Sequence, residues 1–244
     1  MKINLIESVL NLIFPPVCGM CGKLNDKYIC DYCYQYLNQY EKNQLDTYED
    51  RDFKTHFWVY EYKNEIRERI IDYKFNDKSY IYRTFLELIM KNKFAIQYLQ
   101  SFDVLIPVPI HKKRLKQRGY NQSELIAKAF CKEIPSLEYR NDILKKTKNI
   151  KPQSSLDRNQ RAENIHGVYR IEQDNVDGYN FSNKRILLFD DVFTTGSTVN
   201  ECAKTLKSIN NMDIGIFTLV KDWKISKVYI DICEQKFYNV DKYL

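Results

Sequence analysis

R-I-L-L-F-D-D-V-F-T-T-G-S-T-V, residues 185 to 199, decides how this chain is read. Four apolar residues, Ile186 to Phe189, end in two adjacent carboxylates, Asp190 and Asp191. A short turn of Thr, Gly and Ser follows, then a helix-like run from Val199 to Ile209. An apolar run unrelieved by alternation suits a strand covered on both faces of a parallel sheet. A turn of small hydroxyl residues opening a helix directs free backbone N–H groups and the positive helix end at an anion, which makes it a phosphate site. Two carboxylates just ahead of it would repel a bare phosphate. They fit a phosphate carried on a sugar, with Asp190 and Asp191 accepting from neighbouring hydroxyls or holding Mg²⁺ through water. The plainer alternative has the acids merely ending a strand and Ser197 or Thr198 merely capping a helix. It explains each part but not their order.

The segment resembles the phosphoribosyl-diphosphate (PRPP) binding loop of the type I phosphoribosyltransferases, without a gap. That resemblance implies Thr194, Thr195, Gly196, Ser197 and Thr198 around a 5-phosphate. It also implies Asp190 and Asp191 on the ribose hydroxyls, as the catalytic pair if the protein is an enzyme.

Near the start, Cys18-x-x-Cys21 and Cys30-x-x-Cys33 place two thiol pairs close together. Such spacing makes a four-thiolate tetrahedral site that suits Zn²⁺. A redox role needs only one pair, and two disulfides need an oxidising compartment. Four thiolates leave no open position for water, so the expected zinc is structural, and it supplies folding energy to a segment too small for its own core.

With 244 residues, the chain has room for one α/β domain and a small module. The remaining cysteines, Cys131, Cys202 and Cys233, are scattered and odd in number, as expected of a cytoplasmic protein. No run reaches the length of a membrane span. Ile3, Ile6, Leu10 and Ile13 recur at helical spacing, so an amphipathic helix rather than a signal peptide is expected there. The net charge of +6 is mild, and its placement matters more than its size.

Along the chain, the zinc-ribbon module with its leading helix is assigned to residues 1–45, with polar Glu41 to Lys54 as a linker. The α/β domain is assigned to 55–222 and a C-terminal extension to 223–244. Strands are expected at Phe57 to Tyr62, Asp103 to Val108, Ile143 to Lys146, Val168 to Ile171 and Asp213 to Val220. Helices are expected at Glu65 to Phe75, Ile81 to Lys91 and Gln122 to Glu133. This alternation argues a doubly wound parallel sheet.

After the Asp103 strand comes P-V-P-I-H-K-K-R-L-K-Q-R-G-Y-N-Q, Pro107 to Gln122. Ligands of open parallel sheets sit at the carboxyl ends of strands, so this basic loop shares a crevice with residues 194–198. Its crowded cations need an anion, and pyrophosphate held by Lys112, Arg114 and Arg118 is the obvious one.

The whole string resembles the ComF competence proteins. So do Leu12-Ile13-Phe14-Pro15-Pro16 before Cys18, the double C-x-x-C, and Lys151-Pro152-Gln153 through Arg161 to Tyr169. The resemblance implies a cytoplasmic factor for DNA uptake in natural transformation, handling single-stranded DNA beside a helicase-type translocase. Lys113, Lys116, Arg158 and Arg161 are then candidate DNA contacts, with Tyr120, Tyr139 and Tyr169 as aromatic neighbours. Two other readings stay open: a true phosphoribosyltransferase of nucleotide metabolism, and a PRPP-regulated docking module for a helicase. No segment announces an acceptor pocket. His166, in a candidate hood over the crevice, is equally a structural hydrogen-bonder or a general base.

Overall fold

The computed structural model describes residues 15–149, 166–210 and 212–222. The expected N-terminal helix, Arg158, Arg161 and the C-terminal extension lie outside them.

A six-stranded sheet in the order β1-β2-β8-β7-β3-β4 forms the centre. Its strands are β1 (Glu41–Thr47), β2 (Thr55–Glu61), β3 (Val104–Pro107), β4 (Glu138–Tyr139), β7 (Arg185–Phe193) and β8 (Asp213–Lys221). All neighbouring pairs are parallel except β1 with β2. A separate antiparallel pair, β5 (Leu144–Lys146) with β6 (Tyr169–Ile171), stands beside the sheet.

The apolar run of β7 is split by the period-two geometry of a strand. Ile186 and Leu188 join one buried cluster, while Leu187 and Phe189 join the other. The first packs with Val199, Cys202 and Leu206 of α7 (Ser197–Lys207). The second packs with Ile126 and Phe130 of α6 (Gln122–Glu133) and with Phe85 and Leu88 of α3 (Ile81–Met90). Helices thus cover both faces, which is the doubly wound α/β architecture that the sequence pattern predicts.

Several elements differ from expectation. Glu41 to Lys54 is not a simple linker, because Glu41–Thr47 is edge strand β1. An edge strand exposed on both sides needs little apolar character, so its polar sequence hides it. The acids do not follow β7 but lie inside it, since the strand continues to Phe193. The basic loop contains a seven-residue helix, α5 (Lys112–Arg118), capped by the His111 ring and ended by Gly119. It buries no residue and so carries no apolar period. Helix α4 (Lys93–Gln100) was not anticipated, although the Asn92 side chain caps it by accepting from the amides of Phe94 and Ala95. The remaining helices are α1 (Asp31–Asn38) and α2 (Asn64–Phe75).

The cysteine segment does not stand apart from this domain. Cys18, Ile29, Cys33 and Leu37 belong to the same buried cluster as Phe85, Leu88 and Phe189.

Candidate functional site

The carboxyl ends of β3 and β7 open into a cleft of about 740 Å³, lined by residues from several elements. Asp190 and Asp191 of β7 form its floor, and Thr194, Gly196, Ser197 and Thr198 form one wall. Gly196 has φ +76°, a left-handed turn that lets Ser197 start α7 directly after β7. The hydroxyls of Thr195 and Ser197 lie 2.8 Å apart. Thr195 itself does not line the cleft.

Helix α5 forms the facing wall and divides by its own period. Arg114 and Arg118, four apart, are half-buried and line the cleft, while Lys112, Lys113 and Lys116 point outward. Two of the three expected diphosphate cations therefore reach the cavity, and Lys112 does not. Lys113 and Lys116 lie on the solvent side. His166 is exposed and lies outside the cleft lining. Tyr169 is buried and lines the cleft. Tyr120 instead donates its hydroxyl to the Tyr73 carbonyl.

The sequence reading missed Lys74, Ser123, Gln122 and Lys146 as members of this site. The Lys74 ammonium, at the end of α2, lies 2.8 Å from Asp191 Oδ1. Ser123 Oγ donates to Asp190 Oδ1 at 3.0 Å. Arg118 donates to Gln122 Oε1 at 2.6 Å and places its guanidinium 5.1 Å from the exposed Phe75 ring. Lys146 lies 5.3 Å from the Tyr169 ring, and burial together with Arg114 lowers its pKa.

The two acids are not equivalent. Burial and the Asp191 carboxylate push Asp190 up to about 7, against the opposing pull of Lys74 and Ser123. An acid raised in the folded state costs stability once the unfolded chain ionises. The cost grows as pH rises from 3.8, the ordinary value, to about 7, and is then constant. At about 1.4 kcal/mol per unit, the upper bound is about 4 kcal/mol. The Asp190→Asn variant should therefore melt several degrees above the parent at pH 8 and no higher at pH 4, by differential scanning calorimetry. Equal melting temperatures at pH 8 would show that the pair is not strained.

At the other end of the molecule, the sulfurs of Cys18, Cys21, Cys30 and Cys33 all lie within 4.8 Å of one another. Cys21 and Cys30 are 3.9 Å apart. Sulfur edges of about 3.8 Å follow from tetrahedral zinc–thiolate bonds, so the set fits a metal ion and is compatible with structural zinc. Burial and the Cys30 thiol push Cys33 upward, and a bound cation would offset that by favouring the thiolate.

No family model matches the chain. Competence protein F of Haemophilus influenzae is 28% identical over 84% of this chain and 85% of its own length. Competence protein ComFC of Bacillus subtilis is 26% identical over 88% of this chain and 82% of its own. The DNA utilization protein YhgH of Escherichia coli O157:H7 is 32% identical over 44% of each chain.

Over most of its length the chain is similar to the ComF-type competence proteins.

Within the chain, the resembling motifs converge on two places. R-G-Y-N-Q and the acid pair meet in the cleft through Arg118, Gln122 and Ser123. The double C-x-x-C forms the thiol cluster. Among the described residues, no helix is long and apolar enough to cross a membrane.

Proposed function

We propose that the protein serves DNA uptake in natural transformation from the cytoplasmic side. In this reading it binds PRPP with Mg²⁺ in the cleft and handles single-stranded DNA. The relatives carry names in competence and DNA utilization, which supports the biological half. The observation that carries the chemical half is the meeting, in one cavity, of an acid pair, a glycine-hydroxyl turn opening a helix, and two guanidinium groups. Ser197 and Thr198 stand at the amino end of α7, where backbone amides and the helix dipole attract a phosphate. Arg114 and Arg118 line the same cleft, and guanidinium forks suit a diphosphate.

The buried Asp191 Oδ2 has no partner among the described residues. An acceptor left in that state fits a sugar hydroxyl or a metal-bound water. Asp190 and Asp191 would hold Mg²⁺, whose chemistry there is to neutralise diphosphate charge. The outward Lys113 and Lys116 form no ion pair among the described residues, which suits contact with a polyanion. The thiol cluster takes structural Zn²⁺.

Calorimetric titration of PRPP with Mg²⁺ tests the ligand. Binding in the micromolar range is expected for the parent, with at least a 100-fold loss when Asp190 and Asp191 are both changed to Asn. Undetectable heat with the parent would remove this reading of the cleft.

A further inference from the structure

We infer that Lys74 is a resident counter-ion for the acid pair, which keeps free divalent metal out and admits it only together with an anionic sugar ligand. This inference rests on the sugar-phosphate reading of the cleft and names a control on it.

Lys74 comes from the last turn of α2, an element remote in sequence from β7, and its side chain is 22% exposed, against 4% for Asp191. It takes only one carboxylate oxygen, Asp191 Oδ1 at 2.8 Å. The other, Oδ2, is buried without a partner. A purely structural ion pair at such depth would satisfy both oxygens, because each unmet buried acceptor carries a desolvation cost. One taken and one waiting is the arrangement of a site partly filled by a stand-in.

The charge balance points the same way. Mg²⁺ sheds water reluctantly and needs near-octahedral oxygen ligands, so its entry depends on uncommitted carboxylate charge. With Lys74 in place, the acid pair offers at most one net negative charge. A sugar diphosphate supplies several more, enough to draw the metal in and to take over the ammonium. Lys74 stands beside the means to do so. The adjacent Phe75 ring lies 5.1 Å from the Arg118 guanidinium, and Arg118 donates to Gln122 at 2.6 Å. One turn of α2 therefore touches both the metal side and the diphosphate side of the cleft.

The test uses the full-length protein and Mn²⁺ as the probe, with free metal read by electron paramagnetic resonance. Without sugar ligand, the Lys74→Met variant should bind Mn²⁺ at least ten-fold tighter than the parent, while Lys74→Arg should match the parent. Lys74→Gln, which keeps a neutral donor near Asp191, gives the same answer if the methionine variant does not fold. Equal Mn²⁺ affinity in the parent and the uncharged variants would overturn the inference. A second arm adds PRPP to the parent, and ternary Mn²⁺ uptake is expected. If the first arm succeeds and PRPP promotes no uptake by the protein, the counter-ion role stands for the acid pair and the choice of PRPP as ligand fails.

Discussion

Replacing Cys18 and Cys30 together with serine is expected to melt the α/β domain along with the cysteine segment, in one transition. A thiol cluster on a separate knuckle would lose only itself. Here Cys18 and Ile29 are fully buried in the cluster that also holds Ile70, Phe85 and Leu88. The Tyr28 carbonyl accepts from the Gly19 amide at 3.0 Å and from the Thr84 hydroxyl of α3 at 2.7 Å. The Tyr28 amide donates to Glu87 Oε2, also on α3, at 2.9 Å. Gly19 lies so close to α3 that a Cβ there would meet Thr84 Oγ1 at 2.2 Å, so the segment seats directly on the helix.

Metal loss would therefore bare the apolar face of α3 as well as the knuckle. Structural zinc sites carry on the order of 10 kcal/mol, comparable to the whole stability of an ordinary domain. The serine variant, or the parent under excess chelator, should lose more than about 10 °C in melting temperature, at the few degrees per kcal/mol usual for this size. Far-ultraviolet circular dichroism and PRPP binding should fall together. Two separated transitions, with binding intact after the first, would show a knuckle that folds on its own.

That coupling was not legible in the sequence, although the cysteine spacing was. Local signals carried well: the β7 run, the helix over Gln122–Glu133 and the turn at residues 194–198 all depend on neighbours in the chain. Contacts between remote elements did not. Lys74 lies in the last turn of a helix whose pattern says nothing of Asp191, and only the tertiary fold brings the two side chains together. The same holds for Thr84 beneath Gly19. Edge strand β1 was invisible for a different reason. Trp58 of β2 donates its indole N–H to Asp46 Oδ2, so a polar, linker-like segment is held by hydrogen bonds rather than by an apolar stripe. Helix α5 was likewise masked by its charge, yet its period decides which cations enter the cleft.

Changing Gly196 to Ala should cost ligand affinity far more than stability. Two constraints meet at this residue. Its φ of +76° is left-handed, which costs a residue with a Cβ about 1 kcal/mol. A Cβ would also lie 2.5 Å from the Phe193 ring, which has nowhere to go. Phe193 stacks on His56 at 4.1 Å and meets Phe53 edge-on at 6.4 Å. His56 is in turn fully buried and tied to Thr218 at 2.8 Å. The strain is then relieved by the turn itself, which draws the amides of Ser197 and Thr198 away from where the proposed ligand's phosphate would sit. A shift of about 1 Å at such donors is enough for roughly a 100-fold loss. Calorimetry with PRPP and Mg²⁺ should show that loss, with melting lowered by only a few degrees. Gly178→Ala separates the causes, since Gly178 has φ +82° and open space around it. It should lose a similar small stability and no affinity. Unchanged PRPP affinity in Gly196→Ala would mean that the phosphate sits elsewhere than on the amino end of α7.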